Sequence, residues 1–146
     1  MGQRSNLRTA EAYSIGYAEN MKLLSMNNSG VLLLLEPSEQ LCFNNVLNEV
    51  CHAFQVRDFP GTIGISREAA ELLLGKLYKL YSEHVSVQLE LSRTEVSTIR
   101  NALATTLNEL GDWEFPIRVG VPFAQAQTIL GLVNQFAAGD VGSERS

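Results

Sequence analysis

The sequence predicts an α+β domain built as an internal tandem duplication of one β-α-α unit, with pseudo-two-fold symmetry and a small two-stranded sheet packed on helices. Three observations carry this expectation. Residues 31–77 align with residues 87–133 at a constant offset of 56 without a gap. Twelve of those 47 pairs are identical, where unrelated segments of average composition match at about 3. Each copy opens on an apolar strand-like run and continues with two stretches of helical periodicity, and a hydrophobic content of 45% with 18% charge is enough to bury a core. A repeat governs the reading of a fold because each copy needs a neighbour to cover its apolar face.

Taken in order, residues 1–28 lie outside the repeat and read as a helical extension. Leu7, Ala10, Tyr13, Tyr17, Met21 and Leu24 recur at spacings of three and four, which predicts a helix over 6–24, and Asn27-Asn28-Ser29-Gly30 closes it as a turn. Residues 29–136 form the single domain. Its first strand, Val31-Leu32-Leu33-Leu34-Leu35, is an unbroken apolar run of the kind covered on both faces. The N-terminal helix is the expected cover. The second strand alternates Val85, Val87, Leu89 and Leu91 with Ser86, Gln88 and Glu90, so one of its faces is wet.

Both strands run into helices with visible start signals. Ser92-Arg93-Thr94-Glu95 has the form of a capping box, and Glu36-Pro37-Ser38-Glu39 places Pro at the first helical position with Glu39 at the third. Phe43, Leu47, Val50 and Phe54, and in the second copy Ile99, Leu103, Thr106 and Leu110, form the inward stripes. Next come Phe59-Pro60-Gly61-Thr62-Ile63-Gly64 and Phe115-Pro116-Ile117-Arg118-Val119-Gly120, where Pro holds the aromatic inward and the final Gly suits a left-handed turn. A second helix follows in each copy, carrying Ala70, Leu73 and Leu77 or Ala126, Ile129 and Val133. Gly75 and Gly131 sit inside these helices at a cost of about 1 kcal/mol against Ala, which points to tight packing on another element. Residues 137–146 are small and polar, a disordered tail.

For function, composition narrows the classes. A net charge of −5, from 16 acidic and 11 basic residues, disfavours phosphate backbones and anionic membranes. Cys42 and Cys51 fall nine residues apart on one predicted helix, too far to bridge; two lone thiols and no signal-like apolar run predict a cytoplasmic protein. Gly64-Ile65-Ser66 with the helix after it has the outline of a helix-turn-helix, but that helix reads Ser66-Arg67-Glu68-Ala69-Ala70-Glu71, poor in the Arg, Lys, Asn and Gln that contact DNA. Gly61-x-x-Gly64-x-Ser66 matches no phosphate-loop spacing. His52 and His84 have no metal-ligand or triad spacing, and Asp58 and Glu114 reappear in both copies only as turn acids. No cofactor or metal is implied.

The polar pair that the repeat keeps without a folding reason is Asn45 and Asn101, each opposite the apolar stripe of its helix. They are candidates for partner contacts, or for hydrogen bonds to a neighbouring backbone. Trp113 and Phe123 join them as candidate interface aromatics. The expected role is a small interaction or regulatory module without catalytic activity, bound to a protein partner or to a second copy of itself as a homodimer. A helix-turn-helix-like nucleic-acid regulator and an enzyme of unknown class are the alternatives.

Overall fold

The structure, a computed structural model, describes residues 21–138. Residues 6–20 of the helix expected over 6–24, and the tail from 139 onward, lie outside the described residues. Between them the chain forms β1 (Lys22–Met26), β2 (Gly30–Leu35), α1 (Pro37–Asn48) continued by a π-helical turn (Glu49–Ala53), α2 (Phe59–Ile63) and α3 (Arg67–Leu80). Then follow β3 (Val87–Ser92), α4 (Arg93–Glu109), α5 (Glu114–Val119) and α6 (Phe123–Ala138). The class is α+β, as expected. Ala137 and Ala138, assigned to the tail by composition, close α6.

The sheet has three antiparallel strands in the order β1-β2-β3, not two. The additional strand is Lys22–Met26, in the segment where the spacing predicts the end of a helix. Its pairing explains the difference: Lys22 faces Leu34 and Met26 faces Val31, with a bulge between Leu23 and Ser25. The two strands form a hairpin, and its ladder bonds override the helical period. The start of the strand is pinned from the helix layer, because the Met21 N–H donates to Glu39 Oε2 at 2.6 Å.

β2 is therefore the central strand, and its faces differ. Val31, Leu33 and Leu35 are buried with Leu89 and Leu91 of β3, whereas Leu32 and Leu34 are only half-buried. The expected cover on both faces is thus absent among the described residues; one face looks onto helices and the other is open. β3 alternates as its sequence requires. At the start of β2, a Cβ on Gly30 would lie 2.2 Å from the Leu91 carbonyl oxygen, so only glycine lets the two strands pair there.

The helix starts follow their signals. The Glu95 amide donates to Ser92 Oγ (3.0 Å) while Glu95 Oε1 accepts from the Ser92 amide (2.8 Å). Pro37 opens α1, and Glu39 Oε1 accepts from the Glu36 amide at 2.8 Å. Phe43, Leu47, Val50, Ile99, Leu103, Thr106 and Leu110 are all buried; Phe54 is half-buried. The Phe-Pro strings each wind into a short helix that ends on a glycine with positive φ, Gly64 at 104° and Gly120 at 93°. Buried Gln40 ties down the connection from α3 to β3, donating to the Val85 carbonyl (3.0 Å) and accepting from the Ser82 amide (2.8 Å).

Both cysteines are free and buried. Burial pushes the Cys42 thiol up to about 12 and raises that of Cys51 as well, so neither has the thiolate character of a reactive site.

Candidate functional site

The two candidate asparagines each reach a distant part of the chain. Asn45 Nδ2 on α1 donates to the Val119 carbonyl at the end of α5 (2.7 Å), and Asn101 Nδ2 on α4 donates to the Ile63 carbonyl at the end of α2 (2.9 Å). Helix ends leave carbonyls without partners, and each amide supplies one. The positive-φ glycines that follow, Gly120 and Gly64, stop the short helices beside these amides. Replacing Asn45 or Asn101 by Ala is expected to cost about 1–2 kcal/mol each, since a partly buried carbonyl loses its donor. Urea denaturation of the two single variants measures it, and a loss below about 0.5 kcal/mol would mean water replaces the amide.

The candidate aromatics are disposed differently. Phe123 is half-buried and packs edge-on against Phe115, with ring centroids 5.7 Å apart and planes at 88°. Trp113 precedes α5 and is 72% exposed, one turn from Ile117 at 73%. The structure does not bring Trp113 to either asparagine's hydrogen bond.

The concavity that gathers the most unusual features lies between α1 and α3. It has a volume of about 510 Å³ and is lined by Asn44, Asn45, Asn48 and His52 on one side and Glu71, Leu74, Gly75 and Tyr78 on the other. On the α1 side Asn44, Asn48 and His52 recur every fourth position, one face of a helix. Asn44 Oδ1 is buried there and has no hydrogen-bond partner, the only such side-chain atom among the described residues.

Where α1 reaches His52 it widens into the π turn, and the Phe54 amide donates to the Glu49 carbonyl at 2.9 Å. Such turns recur at functional sites. Two arginines brace it. Arg67 donates to the Cys51 carbonyl while its guanidinium lies 4.5 Å over the Phe59 ring. Arg118 pairs with buried Glu49 at 2.6 Å and reaches Glu114 at 3.4 Å. α4, also 17 residues long, stays α-helical throughout.

α3 forms the opposite wall. Ser66 Oγ accepts from the Ala69 amide (3.1 Å) to cap it, and Ala70, Leu73 and Leu77 face the core. Leu72 and Tyr78 stand 78% and 72% exposed. Gly75 is exposed too, and a Cβ built on it meets nothing within 4 Å; the same holds for Gly131 on α6. The expectation that these glycines pack tightly on another element of the chain is corrected: within the described residues neither has such a neighbour.

The groove is rich in side-chain amides. Among the described residues no three His, Cys, Asp or Glu side chains cluster as metal ligands. Asp58 serves as a turn cap, its carboxylate accepting from the Gly61 amide at 3.3 Å, and Glu114 pairs with Arg118. No helix among the described residues is long and apolar enough to cross a membrane. The fold and groove thus define a small α+β protein with an open interhelical cleft. No protein-family model, no curated protein and no solved structure matches the chain.

Proposed function

We propose that this chain is a non-catalytic interaction module that binds a protein partner along the α1–α3 groove. The observation that carries the reading is Gly75. A glycine in the middle of a solvent-facing helix costs about 1 kcal/mol against Ala, and among the described residues nothing comes within 4 Å of a Cβ built there. A partner backbone pressed against that face recovers the cost, with the neighbouring Tyr78 and Leu72 as its exposed anchors. The groove's amides supply donors and acceptors for the partner's main chain.

The chain on this reading arose by duplication of a β-α-α unit about a pseudo-two-fold axis. The reciprocal bonds of Asn45 and Asn101 support it, because each side chain makes the same contact with the opposite half. The groove, with the π turn, His52 and Tyr78, is lined by residues 44–78 alone, so the partner reads one half of the duplicated frame. The nucleic-acid alternative is less well supported. Of the three basic residues it would use, Arg67 is engaged on the Cys51 carbonyl, Lys76 donates to the Glu90 carbonyl at 2.6 Å and pairs with Glu95 at 3.3 Å, and Lys79 stands exposed.

Gly75 provides a test with opposite signs. Gly75→Ala is expected to raise stability by about 0.5–1 kcal/mol, because the helix gains propensity and no clash arises. Gly75→Arg is expected to remove partners captured by the wild-type chain while leaving the far-ultraviolet circular dichroism unchanged. Partners that Gly75→Arg retains but Trp113→Ala loses would move the binding surface to α5 and overturn the reading.

A further inference from the structure

We infer that the turn continuing α1 is a two-register device, which Arg67 and Arg118 hold in the π register and which thereby sets where His52 stands on the groove wall. The register is read from the Phe54 amide. It donates to the Glu49 carbonyl, five residues back, at 2.9 Å. Residues 93–109, matched to 37–53 at the offset of 56, give a comparison within the same chain. There the equivalent amide, on Leu110, donates at 2.9 Å to the Thr106 carbonyl, four residues back, as an α-helix requires. Had Phe54 followed Leu110, its acceptor would be the Val50 carbonyl.

Two side chains distinguish the segments. The carbonyl that Phe54 passes over, Val50, accepts from Arg67 Nη1 at 3.5 Å, and the Cys51 carbonyl accepts from the same nitrogen. Arg118 Nη2 holds the Glu49 carboxylate at 2.6 Å, and its guanidinium carbon stands 6.0 Å from the centre of the Phe54 ring. One guanidinium thus lies against both ends of the π bond. At the matching positions of the α-helical segment stand Thr105 for Glu49, Thr62 for Arg118 and Phe123 for Arg67, none of them charged. π turns are rare, and the charge-assisted bonds of the two arginines offset the cost of this one. The register matters to the groove because Asn44 and His52 are eight residues apart, about 80° beyond two full turns of an α-helix. The wider π turn winds each residue through less and reduces that angle. This consequence rests on the reading of the groove as a binding surface; the register does not.

Scalar couplings across hydrogen bonds, recorded by nuclear magnetic resonance on the isotopically enriched full chain, identify the acceptor of each amide. The wild type is expected to show the Phe54 nitrogen coupled to the Glu49 carbonyl. Combining Arg67→Met with Arg118→Met is expected to move that coupling to the Val50 carbonyl, while the Leu110–Thr106 coupling persists as the mark of an intact fold. Each single variant keeps one brace, and its Phe54 amide is expected to exchange with solvent at least about tenfold faster, the equivalent of one charge-assisted bond. The single variants carry the test if the double variant does not fold. Unchanged exchange in both of them would overturn the two-register device. So would a folded double variant whose Phe54 amide stays on Glu49 or couples to neither carbonyl. The readout needs no partner, so a groove that captures nothing would count against the binding surface alone.

Discussion

Phe115→Ala is expected to lower the stability of the protein by about 3–5 kcal/mol, the range for deleting a fully buried aromatic ring. Phe115 is 0% exposed and anchors α5 in the core, with Phe123 packed on its edge. Removing it leaves a cavity and also strips the edge-to-face contact, worth about 0.5–1.5 kcal/mol beyond area. A chain of this size loses about 3 °C of Tm per kcal/mol, so a drop of about 10 °C or more is expected. The counterpart Phe59→Ala belongs lower in the range, since Phe59 is 6% exposed and one face of its ring carries the Arg67 guanidinium. Thermal and urea unfolding of both variants measure the order. A Phe115→Ala loss below about 1 kcal/mol would show that the site collapses around the vacancy.

The second large effect is a fall in stability between pH 4.5 and pH 7, traceable to Glu39. Its side chain is buried, and burial raises the carboxyl from the ordinary 4.5 to about 7, despite the Glu36 and Met21 amides that favour its charged form. The folded chain thus holds a proton that the unfolded chain has released. Stability from that proton is fully present below the unfolded value and is lost as pH rises through about 7. At about 1.4 kcal/mol per pH unit, the decline is at most about 3.5 kcal/mol. Glu39→Gln fixes the side chain in a neutral form and is expected to flatten the profile. Urea midpoints measured across pH 4.5–8.5 for both proteins check this. A wild-type minus Glu39→Gln difference that does not change with pH would refute it.

How much of this was legible in the sequence depends on the range of the interaction. Caps are local, and Ser92 with Glu95, Pro37 and Glu39 stand where their spacing puts them. The inward stripes were readable for the same reason, because helical period alone selects Phe43, Leu47, Ile99 and Leu103. β1 was not readable. Met21 and Leu24 continue a three-and-four spacing, and only pairing with β2 and the clasp of Glu39 make the segment extended. The π turn left no mark either, since residues 37–53 and 93–109 match in length and differ only in how the last turn is braced.

The candidate site was legible by halves. Asn45 and Asn101 were conspicuous as a shared polar pair, but their targets lie 74 and 38 residues away along the chain. No periodicity points that far. Gly75 was visible as a costly residue, and the sequence logic asked for a packing neighbour. What the sequence lacks is the separation of α1 from α3, and with it the fact that no such neighbour stands among the described residues. His52 and Tyr78, remote in sequence and unremarkable singly, become a site only once those helices face each other.

The crossed asparagine bonds also bear on how the molecule tolerates being divided. A cut in the 82–86 connection would give two fragments, the first with β1, β2 and its helices, the second with β3 and its helices. Neither would contain the amide that finishes its own short helix: Asn101 serves the first fragment and Asn45 the second. Each fragment would hold the missing piece of the other, and the chain has the makings of a split protein whose halves find each other by exchanging one side chain apiece.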